Sequence, residues 1–455
     1  MFNEKLNVII LAAGKGSRMC SAVPKIMHYI GGKPMIAHLL DTVIQLKVKQ
    51  IYVVYSSIHG SFVDKYNTQS INWIVQSNPF GTGHAVQQVL PLLSDDQDNI
   101  MILYADVPFI KVKTLKKLLS IKFDKKNAIG LLTATLSNPE GYGRIIRDHY
   151  GKVIKIIEDT DINQQQNVIN EINTGVLVTS VHYLKRWLSK ITNNNLQCEY
   201  YLTDIINIAW KEGYITNTVE PDSINEIQGI NNKLQLAQIE RLYQKRQTKK
   251  LSLAGVMFAD INRFNLRGDL LHGQDVYIDT NVIVEGKVLL GNRVVISTGC
   301  ILKDSVIGDD VKILPYTIIE DTKIDMNSVI GPFARLRSGN ALEKFSQVGN
   351  FVEIKNTHFG QGSKVNHLSY IGDSDIGVTV NIGAGTITCN YDGMSKHRTK
   401  IGDNVFVGSD TQLVAPVIIG KNATIGAGTT VTQDVCEGET VISRVRQFVI
   451  KNKNK

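Results

Sequence analysis

A glycine-rich turn near the start of the chain has the residues needed to bind phosphate. It follows the apolar run 7–12 and reads Ala13-Gly14-Lys15-Gly16-Ser17-Arg18-Met19, with Pro24-Lys25 close behind. Glycines at the carboxyl end of a first strand let backbone amides approach phosphate oxygens, and the cations neutralise the charge. The spacing is not that of a Walker A motif. By itself, such a turn could also be only a tight connection.

An aspartate after a later apolar run is a candidate metal ligand. Residues 100–103 read as a strand, and Tyr104-Ala105-Asp106 follows directly. Because the carboxyl ends of parallel strands meet at one edge of a sheet, Asp106 is expected to face the glycine-rich turn. A carboxylate oxygen at that place suits Mg²⁺. In isolation the aspartate could equally be a helix cap, but beside a phosphate-binding turn the metal role is favoured.

Two further groups of polar residues in this half could contact a ligand. The first group is Gln76, Gly81 and Thr82. It could instead be only a turn and the start of a helix. The second group is Gly143, Glu158 and Asn173. Glutamate and asparagine side chains on one rim suit the hydroxyls and the N-acetyl group of a sugar, although each could be a turn residue.

Later in the chain a histidine lies among residues suited to acyl transfer. His367 has Glu353, Tyr370 and Asn381 within reach of one coil of the repeat described below. A neutral imidazole can take the proton from an amine that attacks a thioester. A lone histidine is more often structural than catalytic. Because these side chains surround His367, a catalytic role is favoured here.

Cations and an irregular segment accompany the histidine. Arg337 and Lys355 could hold a phosphate, the arginine by a bidentate fork and the lysine as a point charge. The segment 387–400 is out of register with the repeat and could form the wall of a substrate cleft between neighbouring chains. Cys389 within it could be reactive, but a small buried thiol is favoured. Arg444, near the end of the chain, could contact an anionic cofactor or lie in a solvated tail.

The later candidate residues lie in a part of the chain that has a six-residue period, and the structure of this repeat must position them. Aliphatic residues recur at every sixth position, at Ile278, Val284, Leu290, Ile296 and Leu302 and again at Ile401, Val407, Leu413, Ile419, Ile425 and Val431. This period fits neither a helix face nor an alternating strand. It predicts a solenoid of short strands with three sides and about eighteen residues per coil, with the glycine after many of the aliphatic residues easing the turn. The alternative is a β-sandwich rich in valine and isoleucine, which so many in-phase residues disfavour.

The N-terminal half alternates apolar strands with amphipathic helices, a pattern that predicts a parallel sheet covered by helices on both faces. The fold class is therefore α/β with a C-terminal solenoid. We expect domains at 1–230 and 252–455. Residues 231–251 are expected to form a linker helix, although a plain surface helix would fit the same pattern.

Composition limits the class of protein. The chain has 455 residues, 43% of them hydrophobic and 20% charged, as in globular proteins. No apolar run is long enough for a transmembrane helix, and the N-terminus has no secretory pattern. The five cysteines are scattered, which argues for a reducing cytoplasm and against a disulfide frame or a zinc site. The net charge of +8 is spread along the chain and gives no specific indication of nucleic-acid binding.

Taken together, the motifs resemble those of the bacterial bifunctional N-acetylglucosamine-1-phosphate uridylyltransferases/glucosamine-1-phosphate N-acetyltransferases, in the right order over nearly the whole chain. The resemblance implies a Rossmann-like nucleotidylyltransferase domain and a left-handed parallel β-helix that assembles into a cytoplasmic homotrimer. It further implies acetyl transfer from acetyl-CoA to glucosamine 1-phosphate. The product would then react with UTP in the presence of Mg²⁺, giving UDP-N-acetylglucosamine for peptidoglycan and lipopolysaccharide. Its partners would be these small molecules, with neither nucleic acid nor membrane insertion.

The resemblance also implies roles for individual residues. UTP and the sugar nucleotide would be bound by Leu11, Ala12, Ala13, Gly14, Arg18, Lys25, Gln76, Gly81, Thr82, Tyr104, Ala105, Asp106, Gly143, Glu158, Asn173 and Asn231. Asp106 and Asn231 would bind Mg²⁺. His367 would be the general base with Glu353 close by, and glucosamine 1-phosphate would be bound by Arg337, Lys355, Tyr370 and Asn381. Acetyl-CoA would be bound by Ala384, Asn390, Tyr391, Ser409, Ala427 and Arg444.

The sequence departs from the family pattern at Ala105, where glycine is usual, and at Ser338 and Arg446, where proline is usual. If residue 105 needed a positive φ, alanine would be strained there. Two alternatives stay open. The chain could be another sugar-1-phosphate nucleotidylyltransferase, or the solenoid could be only a trimerising scaffold for a single activity.

Overall fold

The computed structural model describes residues 3–14, 16–56, 71–121, 123–124, 126–443 and 446–450. The chain divides into two compact units, Met1–Ile239 and Glu240–Lys455. The sequence predicts a linker helix over residues 231–251, and an α-helix runs from Lys233 to Leu253 across the boundary between the units. None of the helices among the described residues combines the length and the apolar character that crossing a membrane requires.

The first unit is built from strands and helices that alternate along the chain. Its described strands, β1 to β11, are Asn3–Ala12, Tyr29–Ile30, Lys33–Pro34, Val48–Tyr55, Ile71–Val75, Asn99–Tyr104, Asn127–Thr135, Arg144–Arg147, Val153–Ile157, Glu171–Ser180 and Ile215–Val219. Its described helices, α1 to α5, are Met35–Ile44, Thr82–Gln87, Val112–Leu119, Val181–Leu188 and Asp204–Lys211, and the boundary helix is α6.

The sheet has the order β11-β7-β10-β6-β1-β4-β5, with β8 and β9 attached at β10. Strands β6, β1, β4 and β5 are parallel, as the sequence predicts. Along this order the predicted parallel sheet contains one antiparallel strand, β10, which runs antiparallel to both β6 and β7. The antiparallel pair β8 and β9 lies between β7 and β10 along the chain, and β10 pairs with β8. Because of this pair, the chain enters β10 from the opposite end of the sheet.

Helices cover both faces of this sheet. Alternate residues of β1 belong to two separate hydrophobic clusters, because successive side chains of a strand point to opposite faces. Ile9 packs in the cluster that contains residues of α2, α4 and α5. Val8 and Ile10 pack in the cluster that contains residues of α1 and α3. The first unit is therefore a three-layer sandwich of helices, sheet and helices.

The second unit is a parallel solenoid with three faces. One face is a sheet whose strands are Met257–Phe258, Tyr277–Ile278, Val295–Ile296, Lys312–Ile313, Val329–Ile330, Gln347–Asn350, Lys364–His367, Asn381–Ile382, Phe406–Val407, Thr424–Ile425 and Thr440–Val441. The second sheet begins with two long strands, Phe264–His272 and Val282–Leu290. The long strand Val282–Leu290 pairs with two separate short strands of the next coil, so the second sheet forms two faces. From there on, each coil adds one strand to each of these two faces.

The short strands of the second sheet fall into these two faces. One face contains Ile301–Lys303, Ile318–Glu320, Arg335–Leu336, Glu353–Lys355, Tyr370–Gly372, Ile387–Cys389, Gln412–Val414 and Thr430–Val431. The other contains Val306–Ile307, Thr322–Ile324, Asn340–Leu342, His358–Phe359, Ser374–Ile376, Thr399–Ile401 and Val417–Ile419. Every strand pairs in parallel with its counterpart one coil away.

The predicted aliphatic columns form the core of the solenoid. All eleven hexad residues named above are at most 3% exposed. Residues that are hydrogen-bonded between neighbouring coils lie 17 or 18 residues apart, close to the length of three hexads. One coil is longer, with a partner separation of 25 residues, because it contains the irregular segment 387–400. The solenoid predicted from the six-residue period is thus confirmed at the level of single side chains.

The glycines of the repeat have a different role from the one expected. Gly402, Gly408 and Gly420 do not adopt the left-handed conformation. A Cβ atom on them would lie 2.5–2.7 Å from backbone nitrogen of the next coil, so they permit close stacking of coils. The left-handed residues come two positions later, at Asn404, Asp410 and Asn422, with φ of 57–58°. Asparagine and aspartate tolerate that conformation better than other residues with side chains.

One corner of the solenoid carries an exposed aromatic column in this same conformation. Tyr316, Phe333 and Phe351 have φ of 59°, 55° and 56° and stack with centroid distances of 5.3 and 5.4 Å. They are 55%, 48% and 55% exposed. Left-handed aromatic residues are strained, and exposed aromatic rings lose the benefit of burial. These three stacked residues form the aromatic column.

Candidate functional sites

A cavity of about 600 Å³ opens at the carboxyl ends of the parallel strands of the first unit. Its walls come from the turn after β1, from the residues after β5 and β6, and from the segment before α6. Of the residues predicted to bind nucleotide, twelve line it: Leu11, Ala12, Ala13, Gly14, Arg18, Lys25, Gln76, Gly81, Thr82, Tyr104, Asp106 and Asn231. This is the edge at which open α/β sheets bind ligands.

The glycine-rich turn lies tightly against the lysine that follows it. After β1 the chain turns through Gly16, whose φ is 61°, into the short 3-10 helix Ser17–Met19. A Cβ atom on Gly16 would lie 2.9 Å from the Cβ atom of Lys25. Glycine at this position therefore lets Lys25 enter the cavity beside the turn. Lys15 lies outside the described residues.

Lys25 brings the two predicted metal ligands together. Its Nζ atom lies 2.5 Å from Oδ2 of Asp106 and 2.8 Å from Oδ1 of Asn231. The backbone supports the pairing, since the amide of Ile230 donates to the carbonyl oxygen of Asp106 over 3.0 Å. Two oxygen atoms from distant parts of the chain thus converge on one positive charge. A carboxylate and an amide oxygen are donors that suit Mg²⁺, so these residues fit the predicted ion.

Close packing fixes the residues on another wall of the cavity that are predicted to contact the nucleotide. Gln76 is buried, and its Nε2 atom lies 2.8 Å from Nδ1 of His84. Gly81 has a φ of 105°, and a Cβ atom there would lie 2.6 Å from the carbonyl oxygen of Tyr200. The Thr82 hydroxyl accepts a hydrogen bond from the amide of Leu202. Only glycine allows residue 81 this approach and this conformation.

The predicted sugar contacts form a second group beyond the lining of this cavity. The amide of Asn173 donates to the carbonyl oxygen of Gly143 over 2.8 Å, and a Cβ atom on Gly143 would be 3.5 Å from Oε2 of Glu158. Burial raises the pKa of Glu158, although the Thr203 hydroxyl donates to its carboxylate over 2.7 Å. Thr203 has no sequence signal, because it is distant in the chain and lies in no motif.

Tyr104 connects the two groups. It lines the cavity, and burial raises the pKa of its hydroxyl, an effect that the negative charge of Glu158 reinforces. A Cβ atom on Gly175 would lie 2.6 Å from the Tyr104 ring, so that glycine makes room for it. Ala105 is fully buried, donates its amide to the carbonyl oxygen of Leu11, and does not have a positive φ. The departure from glycine at residue 105 therefore causes no backbone strain.

In the second unit His367 lies in a column with predicted acetyl-CoA residues. Backbone amides of residues 368, 385, 410 and 428 donate in turn to the carbonyl oxygens of Asn350, His367, Ala384 and Ser409. The residue preceding each donor therefore occupies the same place in its coil. The column reads Asn350, His367, Ala384, Ser409 and Ala427. From Ala384 onward only small side chains follow the histidine in this column.

Glu353 and the predicted phosphate ligands lie on the neighbouring face. Nη1 of Arg337 lies 3.0 Å from Oε1 of Glu353, which in turn pairs in register with Tyr370. Nζ of Lys355 lies 3.4 Å from Oδ2 of Asp373. Asn390 is buried and donates to the same carboxylate, with the Tyr370 hydroxyl 3.4 Å away. Asn390, predicted to bind acetyl-CoA, thus lies beside the residues predicted to bind the sugar phosphate and not in the column of His367.

The long coil contributes a third cation that sequence reasoning missed. The side chain of Lys396 lies beside that of Lys355, and this contact with a like charge lowers the pKa of Lys396. Arg337 lowers it further through its positive charge. Asp373 balances part of this charge. Burial raises the pKa of Asp373, but hydrogen bonds from Asn356 and Asn390 and the charge of Lys355 outweigh this and lower it. Converging cations of this kind bind anions.

The remaining predicted residues are less closely associated. Asn381 pairs in register with Lys364, at the start of the strand that ends at His367. Tyr391 is 60% exposed and donates its hydroxyl to the carbonyl oxygen of Gly393. Arg444 lies outside the described residues. Burial raises the pKa of the Cys389 thiol, which makes this cysteine less reactive. All five cysteines are described, and each is unpaired.

Two families of known proteins match separate parts of the chain. Residues 8–135 match the MobA-like NTP transferase domain. Residues 304–338 and 398–433 match the bacterial transferase hexapeptide repeats. The chain thus contains a nucleotidyltransferase domain followed by transferase hexapeptide repeats. The protein is a transferase.

The structure is also similar to that of a Bacillus anthracis protein described as a glucose-1-phosphate thymidylyltransferase, solved in complex with sucrose. The similarity covers 52% of this chain and 94% of that one, at 19% sequence identity and a TM-score of 0.41.

Proposed function

We propose that this protein makes UDP-N-acetylglucosamine in two steps. The second unit transfers an acetyl group from acetyl-CoA to glucosamine 1-phosphate. The first unit then transfers a uridylyl group from UTP to the product and releases pyrophosphate. The observation that carries the proposal is the column in which His367 is followed by Ala384, Ser409 and Ala427, next to a cluster of cations. A scaffold without catalysis would need neither.

In the proposed acetyl transfer, the amine of glucosamine 1-phosphate attacks the thioester carbonyl of acetyl-CoA. His367 takes the proton that the amine loses, and the thiolate of coenzyme A leaves and is protonated. Arg337, Lys355 and Lys396 bind the sugar phosphate and fix the amine relative to the imidazole. Proximity and orientation of this kind account for a large part of the rate of such reactions. The small side chains of the column admit acetyl-CoA beside His367.

In the proposed uridylyl transfer, a phosphate oxygen of N-acetylglucosamine 1-phosphate attacks the α-phosphorus of UTP. The glycine-rich turn binds the phosphates through its backbone amides, and Lys25 neutralises part of their charge. Asp106 and Asn231 would hold Mg²⁺, which neutralises charge on the phosphates when bound. Gln76, Gly81 and Thr82 would fix the base, and Gly143, Glu158 and Asn173 the sugar. The protein therefore acts by positioning and by electrostatic stabilisation.

We also propose that the protein is a cytoplasmic homotrimer with a left-handed solenoid. The aromatic column supports assembly, because its apolar rings are stacked and half-exposed, as is typical of a surface that another chain covers. Asn350 directly precedes Phe351 of this column. A neighbouring chain that covered these rings would also lie close to His367, because the side chain of Asn350 contacts the imidazole. Scattered, unpaired cysteines support the location.

The decisive assay uses the full-length protein with acetyl-CoA and glucosamine 1-phosphate. We expect release of free thiol and formation of N-acetylglucosamine 1-phosphate, both of which require the sugar phosphate. A second assay measures pyrophosphate release with UTP and N-acetylglucosamine 1-phosphate. It is repeated with dTTP and with glucose 1-phosphate, which we expect to be poorer substrates. Uridylyl transfer without any acetyl transfer would favour the scaffold alternative.

Lys396→Ala tests the cation cluster. We expect the KM for glucosamine 1-phosphate to rise about tenfold, because one charge-assisted contact with the phosphate is lost. The kcat for acetyl transfer should stay within about twofold, since the same contact is made in the ground and transition states. Lys400→Ala is the matched control, because this exposed lysine lies in the strand that follows the same loop. An equal rise in KM in both variants would contradict the assignment.

Phe333→Asp tests the assembly surface. A buried carboxylate among stacked rings is unfavourable, so we expect the variant to dissociate into monomers at protein concentrations at which the wild type is trimeric. Light scattering coupled to size exclusion measures the mass. Phe345→Asp is the matched control, since Phe345 is equally exposed at 48% and also left-handed, with φ of 62°, but lies outside the aromatic column. Dissociation of the control alone would place the interface elsewhere.

A further inference from the structure

Asn350 is the nearest side-chain partner of the imidazole of His367 that the structure gives. The two residues pair in register on adjacent coils. Oδ1 of Asn350 lies 3.0 Å from Nδ1 of His367. An amide oxygen can only accept a hydrogen bond, so in this arrangement Nδ1 of the imidazole carries the proton and donates it. The other ring nitrogen, Nε2, is then left with its lone pair.

We propose that Asn350 is a positioning residue that holds His367 in the tautomer needed to accept a proton through Nε2. The proposal rests on the proposed acetyl transfer, in which His367 takes the proton of the substrate amine. A histidine with the opposite tautomer would present an N–H group to the amine and could not accept its proton. The identity of the group bonded to the second ring nitrogen is what sets the tautomer.

The fold keeps both partners of this hydrogen bond in place. The amide of Leu368 donates to the carbonyl oxygen of Asn350 over 3.1 Å, and the Ser369 hydroxyl donates to the carbonyl oxygen of His367 over 2.7 Å. The residue after Asn350 is Phe351, whose ring stacks in the aromatic column. With both backbones fixed, the remaining freedom is rotation of the exposed imidazole. The bond to Asn350 restricts that rotation.

The sequence gives no direct sign of this pairing. Asn350 and His367 are 17 residues apart, and only the register of the coils makes them neighbours. Asparagines elsewhere in the solenoid also bond across coils, as Asn404 does with Asn422. These comparable bonds provide the control for a purely structural effect.

Two substitutions separate positioning from stability. Asn350→Leu has nearly the same shape but cannot accept a hydrogen bond. We expect it to lower the kcat for acetyl transfer about tenfold to a hundredfold, since general-base catalysis depends on a correctly held base. The KM values for both substrates should change less than about twofold. Asn350→Asp can accept the same hydrogen bond and should restore most of the kcat. Asn404→Leu should leave kcat unchanged, and the circular dichroism spectrum and melting temperature of the solenoid check that each variant is folded.

The tautomer itself is measured by ¹⁵N NMR of the histidine rings in the full-length protein, in alkaline buffer where imidazole is neutral. The His367 signals are assigned by their loss in His367→Gln. We expect the proton on Nδ1 in the wild type and on Nε2, or exchanging between the two nitrogens, in Asn350→Leu.

A proton on Nε2 in the wild type would overturn the proposal, as would an unchanged kcat in Asn350→Leu. If the wild type transferred no acetyl group, the proposed function would fail, while the NMR result would still decide whether Asn350 sets the tautomer.

Discussion

His367→Ala should abolish acetyl transfer and leave uridylyl transfer unchanged. Without the imidazole no described side chain of the column can take the proton of the attacking amine, because Ala384, Ser409 and Ala427 follow it in the coils. General-base catalysis contributes about a hundredfold to ten-thousandfold, and we expect kcat to fall by a factor in this range. The side chain is exposed, so its loss should not perturb the folded solenoid. The KM for each substrate should change little.

The measurement follows thiol release and pyrophosphate release in the same preparation. The matched control is His358→Ala, because His358 is also half-exposed and hydrogen-bonded across coils, to Glu343, but belongs to another face of the solenoid. We expect the control to keep both activities. Equal damage to both activities by His367→Ala would mean that the two sites are not separate. Unchanged acetyl transfer would remove His367 from the mechanism.

The solenoid could be predicted because its cause is local and repeated. A buried aliphatic residue every six positions is visible in the sequence, and each predicted member is buried in the structure. The structural role of the repeat glycines, which is to permit close stacking of coils, could not be predicted in the same way. Gly408 is needed because the backbone of Ala427 would lie 2.5 Å from a Cβ atom at that position, and Ala427 is a full coil away in the chain.

The orientation of β10 escaped prediction for a similar reason. Alternation of strands and helices indicates a parallel sheet, but the pair β8 and β9 reverses the chain before it re-enters the sheet. The reversal is a property of how this pair docks onto β10. The pattern of apolar residues within the strands does not predict this reversal of the chain.

In the candidate sites the motifs predicted residues from distant segments, and the structure brings many of these residues together. Lys25, Asp106 and Asn231 come from three distant segments and converge on one charge centre, as the motifs imply. Residues that only the geometry brings to these sites were not predicted. Lys396 lies in a loop without periodicity, and Asn350 resembles the structural asparagines of other corners until its bond to His367 is seen.

Asp106→Ala should have the reverse effect of the histidine substitution and abolish uridylyl transfer alone. The substitution removes the only carboxylate that contacts Lys25 in the described structure, and with it the charged ligand proposed for Mg²⁺. Metal and lysine both serve to neutralise charge on the reacting phosphates, and positioning of this kind supplies most of the catalysis in phosphoryl transfer. We expect kcat to fall about a thousandfold or more, since several kcal/mol of transition-state stabilisation are lost. Acetyl transfer should be unaffected.

Asp98→Ala is the matched control for this experiment. Asp98 also forms an ion pair with a lysine, Lys49, at 2.7 Å, but it lies at the start of β6 rather than after its carboxyl end. Loss of Asp98 should lower the melting temperature, because the Asn7 amide also depends on this buried carboxylate. It should leave the rate of uridylyl transfer in the folded protein unchanged. Chelation of Mg²⁺ should reproduce the effect of Asp106→Ala in the wild type and spare acetyl transfer. Uridylyl transfer that persisted in Asp106→Ala and resisted chelation would show that charge neutralisation comes from the cations of the turn alone.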